Sequence, residues 1–317
     1  MRADKHALIA CIAVVAAGAM ALSGCSSSKS PSTPKNNPTG TGTGTGTGTS
    51  TGTAPAGVDA AAAALVPSSV KSKGTITIAL DASYPPDEFF KPGTKTPIIG
   101  MDADLGNALG KVLGLKVTLS NVTFDAIIPG LQSGKYDVGL SSFTDTKKRE
   151  KVVDFVTYFS AGESFYVKSD SSKTFDGLDS ICGAKVAVEN GTTEQSDALA
   201  QSKKCTASGK PAVTVQQFSD QSGANLAVSS GRADVGFADS PPVAYIVQQS
   251  NGQFKESGKP FGTAPYGIAL PQGNGMAKAV QAALKVLIAN GQYASILKTW
   301  NLSDGAITDP VINGATS

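Results

Sequence analysis

Apolar and polar positions alternate in short blocks through most of the chain. Residues 75–80 read TITIAL, an alternating, β-branched run that predicts a strand. The segment DADLGNALGKVLG then sets Leu105, Ala108, Leu109 and Val112 on one face at helical spacing. A second helix is predicted from about Phe124 to Gln132, stopping at Gly134 and feeding a strand over 137–140. Farther along, 185–189 reads as a strand, with a helix beginning near Thr193. Strand and helix in alternation predict parallel sheets in an α/β body.

One block occurs twice: LQSGKYDVGLSS at 131–142 is echoed by AVSSGRADVGFADS at 227–240. Each copy ends a helix at a glycine suited to a left-handed cap, passes a basic residue and enters an Asp-Val-Gly strand. Polar groups follow, Ser141 and Ser142 in the first copy and Asp239 in the second. Ligands in open α/β sheets sit beyond the carboxyl ends of strands, so two such ends point to a cleft between two lobes. The residues alone leave open a plain strand entry without function.

The N-terminus breaks this pattern. Arg2, Lys5 and His6 precede an apolar run over 7–22, short of the roughly 20 residues of a membrane-spanning helix, and 1–24 reads as a signal peptide. The run closes on Leu22-Ser23-Gly24-Cys25, similar to the lipobox of bacterial lipoproteins, in which the cysteine is acylated; an ordinary signal peptide with a chance cysteine is the alternative. Next come Ser, Pro, Asn and a near-perfect Thr-Gly repeat, with too little apolar surface to fold. Residues 25–57 are therefore read as lipidated Cys25 and a disordered tether spanning roughly 30 Å. What remains suffices for one large domain or two ordinary ones.

Composition narrows the chemistry. Lys and Arg number 27 against 25 Asp and Glu, with no basic tract for nucleic acid. Cys11 leaves with the signal and Cys25 takes the lipid, so Cys182 and Cys205 remain, as a disulfide on the oxidising side of the membrane or as two buried thiols. The only histidine, His6, lies in the signal, which excludes Ser-His-Asp and Cys-His catalysis and histidine zinc sites from the mature body. No metal or cofactor is expected.

Five segments in fixed order carry a family resemblance: KGTITIALDASYPPDEF (73–89), GMDADLGNALGKVLG, FDAIIPGLQSGKYDVGLSSFTDTKKREKVVDF, KVAVENGTTEQ and SSGRADVGFAD. Over about 66–301 the chain resembles the bacterial extracellular solute-binding proteins of family 3, which serve polar amino acid importers of the ATP-binding-cassette (ABC) type. The resemblance implies a two-lobed, periplasmic-binding-protein-like (type II) α/β fold whose ligand cleft lies between lobes joined by a two-strand hinge. Lobe 1 is expected to be discontinuous (58–162 and 264–317) and lobe 2 to span 163–263, with crossings near 160–164 and 262–265. The implied protein is a monomer, not an enzyme. It is held to the outer face of the cell membrane by Cys25, captures a polar amino acid by hinge closure and delivers it to the importer's permease subunits.

An amino acid presents a carboxylate, an ammonium and a side chain. In the resemblance Arg149 meets the carboxylate with two parallel donors and Thr144 adds a hydroxyl, while Thr146 reads as a helix N-cap. Gly191, Thr192 and Thr193 offer amides at a helix start, although a strand-to-helix turn with a Thr cap reads the same way. Asp239 pairs with the ammonium, aided by Ser141 and Ser142, or else caps the helix from Pro241. Tyr84 and Phe124 flank the ligand side chain or pack in the core. Asp81 and Glu189 fall near the side-chain end, where two acids suit a cationic side chain and disfavour Asp or Glu.

One departure stands out: the aromatic expected soon after the Tyr84-Pro85-Pro86 segment is preceded by Asp87 and Glu88 before Phe89. Closure follows from ligand contacts on both lobes, because Arg149 and Asp239 are assigned to different ones. Two other classes stay open. One is an exported dehydratase-like enzyme with Glu163 or Glu189 as its acid, and the other is a ligand-sensing module for a receptor.

Overall fold

The structure, a computed structural model, describes residues 56–316. The signal peptide, Cys25 and the Thr-Gly tract fall on 1–55, outside the described residues.

Two short helices, α1 (Ala60–Ala64) and α2 (Ser68–Lys73), lead into β1 (Thr75–Leu80). A small antiparallel ribbon follows, of β2 (Ser83–Tyr84), β3 (Glu88–Phe90) and β4 (Ile98–Ile99). Helix α3 (Met101–Leu113), β5 (Lys116–Asn121), α4 (Phe124–Gln132) and β6 (Val138–Gly139) complete the first half. The long strand β7 (Val153–Lys168) leads to β8 (Lys185–Glu189), α5 (Thr193–Ala207) and β9 (Thr214–Phe218). Then come α6 (Gln221–Ser229), β10 (Val235–Asp239) and α7 (Ser240–Gln249). A second long strand, β11 (Phe254–Pro271), returns to α8 (Met276–Ala289) and α9 (Gln292–Thr299).

Eight strands form one sheet in the order β5-β1-β6-β11-β7-β10-β8-β9. β1 runs parallel to β5 and β6, and β8 runs parallel to β9 and β10, as strand-helix alternation predicts. The two long strands correct the all-parallel expectation, since they pair antiparallel with each other and with β10 and β6. The cause is topological: the chain leaves the first half on β7 and comes back on β11, so the two crossings run in opposite directions. Their register shifts between Ser257 and Phe261 and again before Ala264. Such irregularities bend a strand and increase its local twist.

Each half of this two-lobed α/β fold has its own apolar core. In the first, Leu105, Leu109 and Val112 of α3 pack with Ile76 and Ile78 of β1 and with Val280 and Leu284 of α8, while Ala108 sits partly buried at the edge. In the second, Phe165 and Val167 meet Val186, Val188, Val235 and Phe237. Tyr84 is the exception, because it leaves the ribbon of the first half to pack with Tyr166, Ala224 and Val243. The echoed glycines Gly134 and Gly231 both take φ +73°, the left-handed cap read from the sequence. Cys182 and Cys205 form a disulfide, Cα atoms 5.6 Å apart, tying the loop before β8 to α5. No helix among the described residues is long and apolar enough to cross a membrane.

Candidate functional site

The carboxyl ends of β1, β6, β8 and β10 deliver Asp81, Ser141, Glu189 and Asp239 to one cavity. Tyr84, Phe124, Ser142, Thr144 and Arg149 of the first half complete its wall, with Thr192 and Thr193 from the start of α5. Gly191 alone of the ligand residues read from the sequence does not line it; it borders a neighbouring cavity.

Arg149 is held on every side. One terminal nitrogen, Nη1, donates to the Thr144 carbonyl at 2.7 Å and the other, Nη2, to the Gly191 carbonyl at 3.0 Å. Its guanidinium carbon lies 5.5 Å from the Phe124 ring centroid and 5.2 Å from that of Phe143. Burial draws the group down to about 10, so it stays charged at neutral pH. Thr146 Oγ1 accepts from the Arg149 amide at 3.2 Å, but the N-cap of the short 3-10 turn at 149–151 is Lys148, so Thr146 steadies the approach to that turn and is not its N-cap. Thr192 caps α5, its Oγ1 accepting from the Gln195 amide at 3.1 Å. Gly191 matters for what it lacks: at φ +85°, an added Cβ would lie 2.9 Å from Asp125 Cβ. Asn190 Nδ2 reaches the same Asp125, donating to Oδ2 at 2.6 Å.

Asp239 occupies the N-cap position of α7 but makes no side-chain cap bond, which sets the capping alternative aside. Its Oδ2 instead accepts from the Tyr84 hydroxyl at 3.0 Å, and its amide donates to that hydroxyl at 2.9 Å. Burial, followed by the nearby carboxyls of Glu194 and Glu163, pushes Asp239 well above the usual carboxylate range. Ser141 Oγ accepts from the Asp81 amide at 2.9 Å and donates to Glu88 Oε1 at 2.7 Å. Asp81 Oδ2 accepts from the Phe124 amide at 3.1 Å. The Asp81 carboxyl faces that of Glu189 from the other half, and burial raises both groups.

Two cavity residues escaped the sequence reading, Glu88 and Glu194. Glu194 Oε2 accepts from Thr193 Oγ1 at 3.2 Å. Its signal was position, directly after Gly191-Thr192-Thr193. Glu88 belongs to the atypical Pro85-Pro86-Asp87-Glu88 stretch. Glu163 lies outside this cavity, in the neighbouring one beside Asp197, where burial and the Glu194 and Asp197 carboxyls push it up to about 9. Among the described residues no group of three or more His, Cys, Asp or Glu side chains could hold a metal ion.

The chain's likenesses agree with this geometry. The profile of the bacterial extracellular solute-binding proteins, family 3, matches residues 76–303. The arginine-binding protein ArgT of Corynebacterium glutamicum is 32% identical over 251 residues, which is 79% of this chain and 82% of that one. The structure of an ancestral arginine-binding protein bound to arginine is similar at a TM-score of 0.65 and 35% identity, covering 72% of this chain and 98% of the other. An ancestral amino acid-binding protein, a precursor of cyclohexadienyl dehydratase, is similar at a TM-score of 0.63 and 32% identity, covering 73% and 97%. With most of its folded length matched by the profile and its strand ends converging on one cavity, the chain belongs to the bacterial extracellular solute-binding proteins of family 3.

Proposed function

We propose that the protein captures a cationic amino acid, arginine first among them, between its two lobes and hands it to the permease of an ABC importer. The observation that carries this is the charge of the cavity wall, where one guanidinium, Arg149, faces five carboxyls, those of Asp81, Glu88, Glu189, Glu194 and Asp239. A ligand carboxylate matches the lone guanidinium. An α-ammonium occupies part of the acid, and the surplus suits a second cation on the side chain while opposing an acidic one. The likeness to proteins named for arginine supports the same choice.

In this reading lobe 1 comprises 58–162 and 264–317 and lobe 2 comprises 163–263, with β7 and β11 as the hinge. Ligand contacts divided between Arg149 and Asp239 favour the closed form by differential affinity. Residues 1–24 direct export, lipidated Cys25 anchors a monomer to the outer face of the membrane, and the Thr-Gly tract lets the body reach its permease. The protein is read as a carrier: of the two acids an enzyme reading would use, Glu163 stands outside the central cavity, and Glu189 inside it is one of several carboxyls set against a ligand cation.

Scanning calorimetry of the mature chain against the twenty amino acids tests the assignment. Ligand at a thousandfold excess over its dissociation constant stabilises by about 4 kcal/mol, so arginine is expected to raise Tm by several degrees. The shift should disappear in Arg149→Ala and shrink in Asp239→Asn. No shift with any amino acid overturns the reading.

A further inference from the structure

Behind Glu88 lie two more carboxyls, Asp87 and Asp102, and all three residues are 0–1% exposed. Asp102, in the first turn of α3, accepts from the Ser142 amide at 2.9 Å and from the Tyr158 hydroxyl at 3.0 Å through Oδ2, leaving Oδ1 without a partner. Neither oxygen of Asp87 has a hydrogen-bond partner. Glu88 alone of the three reaches the cavity, where Ser141 and Ser142 donate to it at 2.7 and 3.4 Å.

The groups facing these acids are Ser141 and Ser142 after β6, Tyr158 of β7 and Tyr266 of β11, whose hydroxyl is also unpartnered. None of these is a cation, and Arg149, the cation of the cavity wall, spends its hydrogen bonds on the Thr144 and Gly191 carbonyls and not on Glu88. The ion pairs found among the described residues involve other carboxylates. Three buried carboxylates cannot all remain ionised in such surroundings, and buried acids without a counter-charge hold protons instead.

We propose that the buried cluster of Asp87, Glu88 and Asp102 holds a proton that a ligand cation displaces from Glu88 as it enters the cavity. The inference rests on the amino acid reading above. Burial first and like charge second push Asp87 and Glu88 well above the carboxylate range, and burial raises Asp102 to about 6. In the exchange, a ligand N–H comes to donate to the Glu88 carboxylate and the displaced proton passes to solvent. The sign follows directly: the acids are protonated at low pH, cation binding needs one of them ionised, and affinity therefore rises as pH rises through the raised range. Proton release fades to zero once the network is already ionised. A neutral amide side chain gains nothing from the exchange, so the site selects for charge as well as shape.

Titration calorimetry of the mature chain with L-arginine, in two buffers of different ionisation enthalpy, counts the protons released. Release on the order of one proton per arginine is expected at pH about 6, with affinity gaining up to about tenfold per pH unit there. Asp239, Glu194, Asp81 and Glu189 share the cavity, so the Glu88→Gln variant assigns the effect: its proton count should fall and its pH profile flatten. If that variant fails to fold, Asp102→Asn provides the same readout. Arginine binding without proton release overturns the proposal and leaves the amino acid reading standing. Proton release with a Glu88→Gln profile parallel to that of the unsubstituted protein overturns the assignment to this cluster. Absence of binding by any amino acid removes both.

Discussion

Asp81 and Glu189 come from opposite halves and meet in the cavity, so one cationic side chain can satisfy both. A hydrogen bond to a charged group contributes about 1.5–3 kcal/mol, and Asp81→Asn should therefore weaken arginine roughly 10- to 100-fold while changing glutamine far less. Competition binding of the two amino acids to the variant measures that difference. These two acids were legible in the sequence because each follows or ends a recognisable strand. Glu194 was hidden by the commonness of acids in the first turn of a helix, where the dipole favours them. Glu88 was hidden by a turn in which polar residues are ordinary, and only tertiary burial separates it from a solvated neighbour. Gly191 was read for its amide, yet the structure uses its missing Cβ, which lets the turn pack against Asp125.

At the scale of elements, strands and helices were legible wherever the apolar period was clean. β1, α4 and β8 have the bounds read for them, while β6 contracts to Val138–Gly139 from the expected 137–140. The antiparallel pairing of β7 with β11 was not legible, because strand direction at a crossing depends on partners about a hundred residues apart and leaves no local mark. The disulfide, read from the export signal together with the even cysteine count, is formed. It closes a loop of sequence separation 23, which in the chain-entropy account contributes about 3 kcal/mol. The double variant Cys182→Ser, Cys205→Ser should lower Tm by roughly 6–12 °C with little change in arginine affinity, as thermal unfolding and titration will show. A loss of affinity matching the loss of stability would mean that the bridge shapes the cavity as well as the loop.

At the scale of the whole body, the halves are fastened by bonds that need no ligand. Tyr84 reaches Asp239, Arg149 reaches the Gly191 carbonyl, Asn190 reaches Asp125, and the Gln221 amide donates to Ser83 Oγ at 3.1 Å. Such contacts favour the closed form and raise the apparent affinity of any ligand that prefers it. One further contact lies away from the cavity. Phe89 packs 5.8 Å from Tyr245 of α7 and, edge-on, 5.8 Å from Trp300, whose indole nitrogen donates to Asp104 at 2.9 Å. Trp300 is the chain's single tryptophan. Its emission therefore comes from one place, beside an aromatic contact that relative movement of the halves must disturb. Adding arginine should shift that emission in the parent protein, and Tyr245→Leu should blunt the shift while arginine still binds. Closure then becomes an optical signal intrinsic to the protein, readable in real time without any dye.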